Sequence, residues 1–216
     1  MLPKKSKDSD LNAYLRSEEW INSLTHALGA LLGVAGLILL LLASNDVVAS
    51  LTAVVYGLSL VAMFTASALY HISIDEKKRR FLRKVDHISI YLLIAGSYTP
   101  FLVLAVKGFW GWLGLGVIWS VAIAGITFKL LFGYKYPKIS VYTYAIMGWL
   151  ALFLIYPIYQ ALDLTGFILL LAGGLSYSAG IPLYMLKSRH YSHALWHLCV
   201  VAGAACHFFA IYVYVY

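Results

Sequence analysis

The chain has 216 residues, of which 62% are apolar and 12% are charged, and its formal net charge is +7. Soluble domains average about 45–50% apolar and about 25% charged residues, and the charged side chains cover their outside. A soluble domain is therefore excluded, and so is a disordered chain, which is poor in apolar residues and rich in charge. The composition predicts an integral membrane protein.

The apolar residues fall into seven continuous runs, each long enough to cross a bilayer. A spanning helix needs about 20 apolar residues to cross about 30 Å of hydrocarbon. Strands of a membrane barrel would instead alternate apolar and polar residues. The runs cover residues 24–44, 48–73, 87–106, 109–131, 139–161, 164–186 and 193–215. They predict an all-α membrane protein whose seven-transmembrane-helix bundle forms one domain, 24–216, after a cytoplasmic N-terminal segment, 1–23, with a candidate interfacial helix.

The positive charges lie on one side of this predicted bundle. Of the 16 Lys and Arg residues, all but Lys107 fall in the N-terminal segment or around the second, fourth and sixth connections. Cytoplasmic connections are enriched in Lys and Arg, so the N-terminus is predicted to be cytoplasmic and the C-terminus extracytoplasmic. The excess charge suits anionic lipid headgroups, and no soluble face remains that could bind nucleic acid. The chain is therefore predicted to be a multi-pass protein of the cell membrane.

The histidines share that side, with His207 the exception deep inside a span. At 1.5 Å per residue, His71 lies about 6 Å from the span boundary at Asp75, and His197 lies about 12 Å beyond Arg189. The second and seventh helices run in opposite directions, so these two histidines are expected at similar depth. Polar residues inside spans are costly and mark functional sites.

The spacing of these residues fits a metal site. His193 and His197 are four residues apart, which puts two imidazoles on one helix face, and His71 is the candidate third ligand. Three histidines with an open fourth position are typical of catalytic zinc, and all-nitrogen ligation favours Zn²⁺ over iron or manganese. Ser67, one turn before His71, and Asp86 are the candidate catalytic residues, which would orient or deprotonate the zinc-bound water.

Simpler interpretations exist for each residue. A pair of histidines four apart on a helix often arises by chance. Asp86 would serve as the N-cap of the third helix, and Ser67 would hydrogen-bond to its own helix backbone. His87 and His190 are interpreted as interfacial histidines at the level of the lipid headgroups.

Four motifs occur together along the chain: Glu19-x2-Asn22-x3-His26, Ser67-x3-His71 followed by Asp86-His87, the run IAGSYTPF at 94–101, and His193-x3-His197. With these motifs, the chain resembles the hemolysin III family over essentially its whole length. This family is the bacterial branch of the progestin and adipoQ receptor superfamily, which includes the adiponectin receptors.

The resemblance implies a seven-helix membrane bundle with a cytoplasmic N-terminus and a zinc site. The implied ligands are His71, His193 and His197, with Asp86 and Ser67 near the zinc-bound water. Three residues leading into the first span are candidate supporting residues: Glu19, Asn22 and His26. Alkaline ceramidases have a similar set of residues, which implies hydrolysis of a lipid amide, with zinc polarising the carbonyl and Asp86 carrying the proton. The founding name of the family implies cytolysis instead.

The preferred function is that of a zinc-dependent hydrolase acting on a lipid amide or ester at the cytoplasmic leaflet. The expected partners are membrane lipids, with a lipid as the candidate substrate, and the sequence identifies no protein partner. One alternative is a receptor or membrane-state sensor with structural zinc. A cytolytic pore would need a polar-lined path, which the third to sixth spans scarcely offer. A zinc transporter would hold its ion nearer the midplane of the bilayer.

Overall fold

The computed structural model describes residues 5–132, 135–186 and 190–216, and it is helical along almost all of them, with no strand in these ranges. Seven helical segments are long and apolar enough to cross a membrane, which confirms the predicted all-α, seven-span architecture. The helices are α1 (Lys5–Ala43), α2 (Val47–Ile72), α3 (Glu76–Pro100), α4 (Gly108–Phe132), α5 (Pro137–Trp149), α6 (Ile155–Ala161), α7 (Leu164–Met185) and α8 (Ser192–Tyr214). A π-helical turn, Phe101–Val106, extends α3, and a 3-10 helix, Leu150–Leu154, joins α5 to α6 within the fifth span.

The first helix is longer than the span predicted from its apolar residues. It runs unbroken for 39 residues from Lys5, a length of about 58 Å, whereas the hydrocarbon core is about 30 Å thick. The sequence from residue 5 to residue 28 contains neither glycine nor proline, so nothing in it interrupts a helix. The candidate interfacial helix within 1–23 is therefore continuous with the first span in the part that the structure describes.

The third helix begins at Glu76, eleven residues before the predicted third span. Asp75 is its N-cap, and the Asp75 carboxylate accepts a hydrogen bond of 2.8 Å from the backbone N–H of Lys78. The basic run 77–84 thus forms the first turns of α3 and not a loop. Asp86 lies inside the helix, so the interpretation of Asp86 as an N-cap is wrong. We call this end of the bundle, where α2 ends and α3 begins, the basic end.

The basic residues of the run 77–84 lie in the first turns of α3, at the basic end, and Lys107 follows the far end of the same span, while Lys4, Lys187 and Arg189 lie outside the described residues. At the opposite end the chain terminus packs onto α2. The Tyr216 hydroxyl donates to the carbonyl of Ala49 at 2.9 Å and lies 2.6 Å from the Thr52 hydroxyl. These contacts fix α8 against α2 at the end far from the candidate site, and α8 and α2 carry the histidines of that site.

The fifth span is broken where it passes α3. Pro157 lacks a backbone N–H, and the 3-10 helix just before it leaves backbone groups without α-helical partners. Tyr98 of α3 satisfies two of them, since its hydroxyl donates to the Gly148 carbonyl at 2.7 Å and accepts from the Ala151 N–H at 2.8 Å. Broken helices are tolerated in membranes when neighbouring side chains bond the freed groups. Residues of α5 before this break, among them Tyr144 and Trp149, line a cavity in the bundle.

Candidate metal centre

Three histidines from two helices meet inside the basic end. His71 lies in the last turn of α2, and His193 and His197 lie in the first two turns of α8. One ring nitrogen from each of the three lies within 4.8 Å of the others. His71 and His197 are buried, with His197 fully excluded from solvent. The structure thus brings together the three residues that the sequence predicted as metal ligands.

The partner of His71 fixes which of its nitrogens is available. The His71 Nδ1 lies 2.6 Å from Oε2 of Glu19, whose other oxygen accepts from Arg79. A carboxylate can only accept, so Nδ1 carries the proton and Nε2 presents a lone pair. Metal-binding histidines usually donate their second ring N–H to a carboxylate or carbonyl in this way. Glu19 therefore orients His71 toward the centre of the three histidines.

His197 also donates its Nδ1 proton to an acceptor, which here is a backbone carbonyl. Its Nδ1 lies 3.1 Å from the carbonyl oxygen of Asn22, which can only accept, and 3.3 Å from the Thr25 hydroxyl. Its Nε2 is buried and has no hydrogen-bond partner in the described part of the chain. A buried, unpartnered lone pair in an apolar bundle is costly. A bound metal ion would satisfy it.

His26 holds the His197 ring from the other side. The two rings are stacked with their centroids 3.6 Å apart and an angle of 9° between their planes, and the rings of His26 and Phe64 form a T-shaped pair with centroids 5.0 Å apart. His26 is buried and does not belong to the group of three. The candidate supporting residues on α1 thus contact two of the three histidines: Glu19 contacts His71, and Asn22 and His26 contact His197.

The distance between two of the ligand atoms matches a tetrahedral zinc site. The Nε2 atoms of His71 and His193 are 3.3 Å apart. Two imidazoles bound to one tetrahedral zinc ion at about 2.0–2.1 Å have their nitrogens about 3.3–3.4 Å apart. The donor set and its spacing fit a metal ion, and three protein ligands leave a fourth position open for water or substrate.

Asp86 and Ser67 lie beside the three histidines. Asp86 is only 8% exposed, although it is acidic, and its carboxylate interacts electrostatically with His71. Ser67 is buried one turn before His71 on α2, near the same carboxylate. The two predicted catalytic residues therefore both lie at the predicted site.

An internal cavity of about 380 Å³ leads away from this centre. It begins at His71, His193 and Asp86 and reaches Tyr177 and His207, and its walls between these ends are mostly apolar and aromatic. His193 and His207 are 14 residues apart on α8, which corresponds to about 21 Å along the helix axis. Sites for small apolar ligands are usually cavities of this size with a few polar groups at one end.

Two residues of the bundle add to the sequence interpretation. His87 lines the cavity, and its Nδ1 donates to the carbonyl of Arg83 at 2.7 Å. Lys129 was counted among the cations of a connection, but it is 1% exposed inside the bundle, where its Nζ donates to the Ser140 hydroxyl at 3.2 Å. The sequence did contain an indication of this burial, because Lys129 falls inside the predicted fourth span, 109–131. His190 is exposed.

The fold and the site define a class: a seven-helix membrane protein with three convergent histidines inside one end of the bundle. The family described as Haemolysin-III related matches residues 14–208 of the chain, and the chain belongs to this family. It is therefore a multi-pass protein of the bacterial cell membrane.

The alignments with three relatives cover most of this chain and most of each relative. The chain is 42% identical to Hemolysin-3 of Bacillus cereus over 201 residues, 92% of each protein. It is 38% identical to the Hemolysin-3 homolog of Bacillus subtilis (strain 168) over 203 residues, 91% of this chain and 94% of the relative. It is 31% identical to the monocyte to macrophage differentiation factor of Homo sapiens over 207 residues, 92% of this chain and 85% of the relative.

Proposed function

We propose that this protein is a zinc-dependent hydrolase that cleaves an amide or ester bond of a membrane lipid. The observation that carries the proposal is the convergence of three imidazoles and a buried carboxylate at the polar end of an apolar cavity. A lipid matches this cavity, because it has a polar linkage at one end and an apolar chain at the other. The dimensions and lining of the cavity favour a lipid over a water-soluble substrate.

His71, His193 and His197 are the proposed zinc ligands, because all three offer imidazole nitrogen and their positions fit a tetrahedral ion. When bound, zinc supplies a Lewis acid that polarises a carbonyl oxygen and lowers the pKa of water. Glu19 and the Asn22 carbonyl hold the rings of His71 and His197 in the tautomer that presents Nε2. These contacts support a metal position that is organised before any substrate enters.

Asp86 is the proposed general base and acid. Its carboxylate is buried beside the three histidines, with Ser67 close by on α2. In this role Asp86 takes a proton from the attacking water and delivers it to the leaving nitrogen or oxygen. Ser67 is the proposed positioning residue for Asp86.

The apolar part of the cavity is the proposed site for the lipid chain. Leu93, Ile94 and Ile181 contribute apolar walls, and the glycines at 148 and 174 line the cavity without a side chain. Seating one chain there would bring the lipid linkage to the three histidines. The reaction would thus be confined to lipids that can enter from the bilayer.

We further propose that the basic end faces the cytoplasm, as the distribution of Lys and Arg favours. The expected result is that alkaline phosphatase fused after Tyr216 is active, because that enzyme folds only outside the cytoplasm, while a fluorescent protein fused there stays dark. The matched fusions carry the same reporters after Lys135, in the fourth connection, and should give the reverse pattern. Phosphatase activity from the Lys135 fusion alone would contradict this orientation.

The hydrolase proposal is tested with purified protein in liposomes that contain a panel of lipid amides and lipid esters. We expect at least one of these lipids to be cleaved, with release of a free fatty acid detected by mass spectrometry. The matched control is the double variant His193→Ala/His197→Ala, in which the release should fall to background. Equal cleavage by the wild type and the double variant would refute the proposal.

Cytolysis is the second candidate, and the printed name of the Bacillus cereus relative, Hemolysin-3, is the observation that favours it. The same liposomes, loaded with a fluorescent dye, distinguish the two functions. Dye release without lipid cleavage would favour a cytolytic pore, whereas cleavage without dye release would favour the hydrolase. Wild type and the double histidine variant would release dye equally if the pore does not need the metal centre.

A further inference from the structure

The cavity that leads away from the three histidines ends on aromatic rings. Among the described residues, the last one to line it, counted from the basic end, is Tyr98 on α3, Trp149 on α5 and His207 on α8. On α7 the last is Gly174, and Tyr177 lines the cavity one turn before it. We call the rings of Tyr98, Trp149, Tyr177 and His207 the aromatic floor. Four helices thus contribute one ring each to the far end of the cavity.

Two of these rings are locked between α7 and α8. The His207 ring lies where Gly173 of α7 has no side chain, and a Cβ at that glycine would overlap Cδ2 of His207. The Tyr177 ring lies over Gly203 of α8 in the same way, since a Cβ there would be 2.9 Å from the ring. The two rings form a T-shaped pair with centroids 5.4 Å apart. Close packing of this kind leaves neither ring room to move toward the opposite helix.

Hydrogen bonds hold three of the rings in place. The Nε2 of His207 donates to the carbonyl of Leu170 at 3.1 Å, and its Nδ1 is buried, so neither nitrogen is open to the cavity. The Nε1 of Trp149 donates to the Ser178 hydroxyl at 2.9 Å. The Tyr98 hydroxyl is bonded to the backbone of the fifth span. The rings therefore present mainly carbon atoms to the cavity, and they form a rigid, apolar surface.

The register of two helices gives the depth of the cavity above this floor. Asp86 and Tyr98 are 12 residues apart on α3, and His197 and His207 are 10 residues apart on α8. At 1.5 Å per residue these separations correspond to about 18 Å and about 15 Å. An extended hydrocarbon chain advances about 1.25 Å per carbon, because bonds of about 1.52 Å alternate at near-tetrahedral angles. The depth therefore fits a chain of about 12 to 14 carbons.

We infer that the aromatic floor sets the length of the lipid chain that the cavity accepts, at about 12 to 14 carbons from the linkage. A shorter chain buries less apolar surface, and a longer chain must displace rings that packing and hydrogen bonds hold. The inference rests on the proposed function for the identity of the substrate, which it narrows to lipids with a chain of this length. The four rings are specificity-determining residues, because they lie at the opposite end of the cavity from the three histidines.

Native mass spectrometry measures this selectivity without any activity assay. The protein is presented with an equimolar mixture of saturated fatty acids of about 8 to about 20 carbons, which brackets the expected length. We expect the wild type to bind chains of about 12 to 14 carbons best and each further carbon about tenfold more weakly, because a pocket of fixed size rejects an extra methylene. Equal binding of the longest chains would overturn the inference, and so would the absence of any bound fatty acid.

Gly174→Leu should shorten the accepted chain. Gly174 lines the far end of the cavity, and a Cβ there would meet Cη2 of Trp149 at 3.9 Å, so a larger side chain fits and takes up space of the lipid chain. We expect the preferred length to fall by about 2 to 4 carbons. The matched control is Gly116→Leu on α4, where a Cβ would meet no described neighbour within 4 Å and the residue does not line the cavity. Since every variant meets the same mixture, equal profiles for Gly174→Leu and Gly116→Leu would overturn the inference.

His207→Ala should have the opposite effect. It removes one ring of the floor and leaves space beside Gly173, so the preferred length should rise by about 2 to 4 carbons. A profile equal to that of the wild type would overturn the inference. If His207→Ala does not fold, Gly174→Leu decides the question alone.

Lipid cleavage supplies the second readout. In liposomes that contain lipid amides of graded chain length, the cleavage rates should show the same preferred lengths as the bound fatty acids in the wild type and in each variant. Cleavage rates that do not depend on chain length would overturn the inference. Absence of cleavage by the wild type would refute the proposed function, while the profiles of bound fatty acids would still decide whether the aromatic floor sets the chain length.

Discussion

The double variant His193→Ala/His197→Ala will contain almost no zinc, whereas the wild-type protein will contain a stoichiometric amount. Two of three nitrogen ligands are lost, and His71 alone cannot hold the ion against the surrounding water. The measurement is elemental analysis of protein purified in detergent without chelators. A wild-type metal content near zero, or equal contents in both proteins, would contradict the assignment of these residues as a metal site.

A graded variant strengthens this test. Glu19→Gln keeps a hydrogen-bond acceptor for His71 but removes the negative charge that favours its Nδ1 proton. Loss of such an outer partner typically weakens metal affinity by about 10- to 100-fold, so zinc should be lost at lower chelator concentrations than from the wild type. His190→Ala is the matched control, because His190 is an exposed histidine close to the same end of α8. Its zinc content should equal that of the wild type.

The number and type of the spans could be predicted from the sequence, because a bilayer imposes one requirement on each spanning segment. Every backbone group in the hydrocarbon must be hydrogen-bonded within the segment. A continuous apolar run of sufficient length therefore forms a spanning helix. The helix ends were less predictable. The carboxylate of Asp75 begins α3 well before the apolar run starts, and the lack of glycine or proline lets α1 extend back to Lys5.

The convergence of His71, His193 and His197 could also be predicted, since equal depth on antiparallel helices restricts where their side chains meet. The outer partners could not be predicted from depth alone. His197 donates to a backbone carbonyl, that of Asn22, and such a contact depends on the rotation of α1 about its own axis. The burial of Lys129 was missed for a related reason, because hydropathy treats a cation near a span end as solvated.

Asp86→Asn will retain the metal but lose turnover. Asparagine has nearly the same shape as aspartate, and its amide oxygen can still accept hydrogen bonds, but it cannot take up a proton. Removal of a general base typically lowers kcat by about 10²- to 10⁴-fold. The measurements are the rate of lipid cleavage in liposomes and the zinc content per chain, both at a temperature at which wild type and variant are folded.

Asp75→Asn is the matched control, because it makes the same chemical change at an exposed residue near the basic end. Asparagine is as good an N-cap as aspartate, so α3 should still begin at the same place, and both the rate and the zinc content should stay at the wild-type level. Loss of zinc from Asp86→Asn would show that Asp86 supports the ligands instead of moving a proton. Full turnover by Asp86→Asn would assign the general base to another group, and the carboxylate of Glu19 would be the next to test, since it contacts His71.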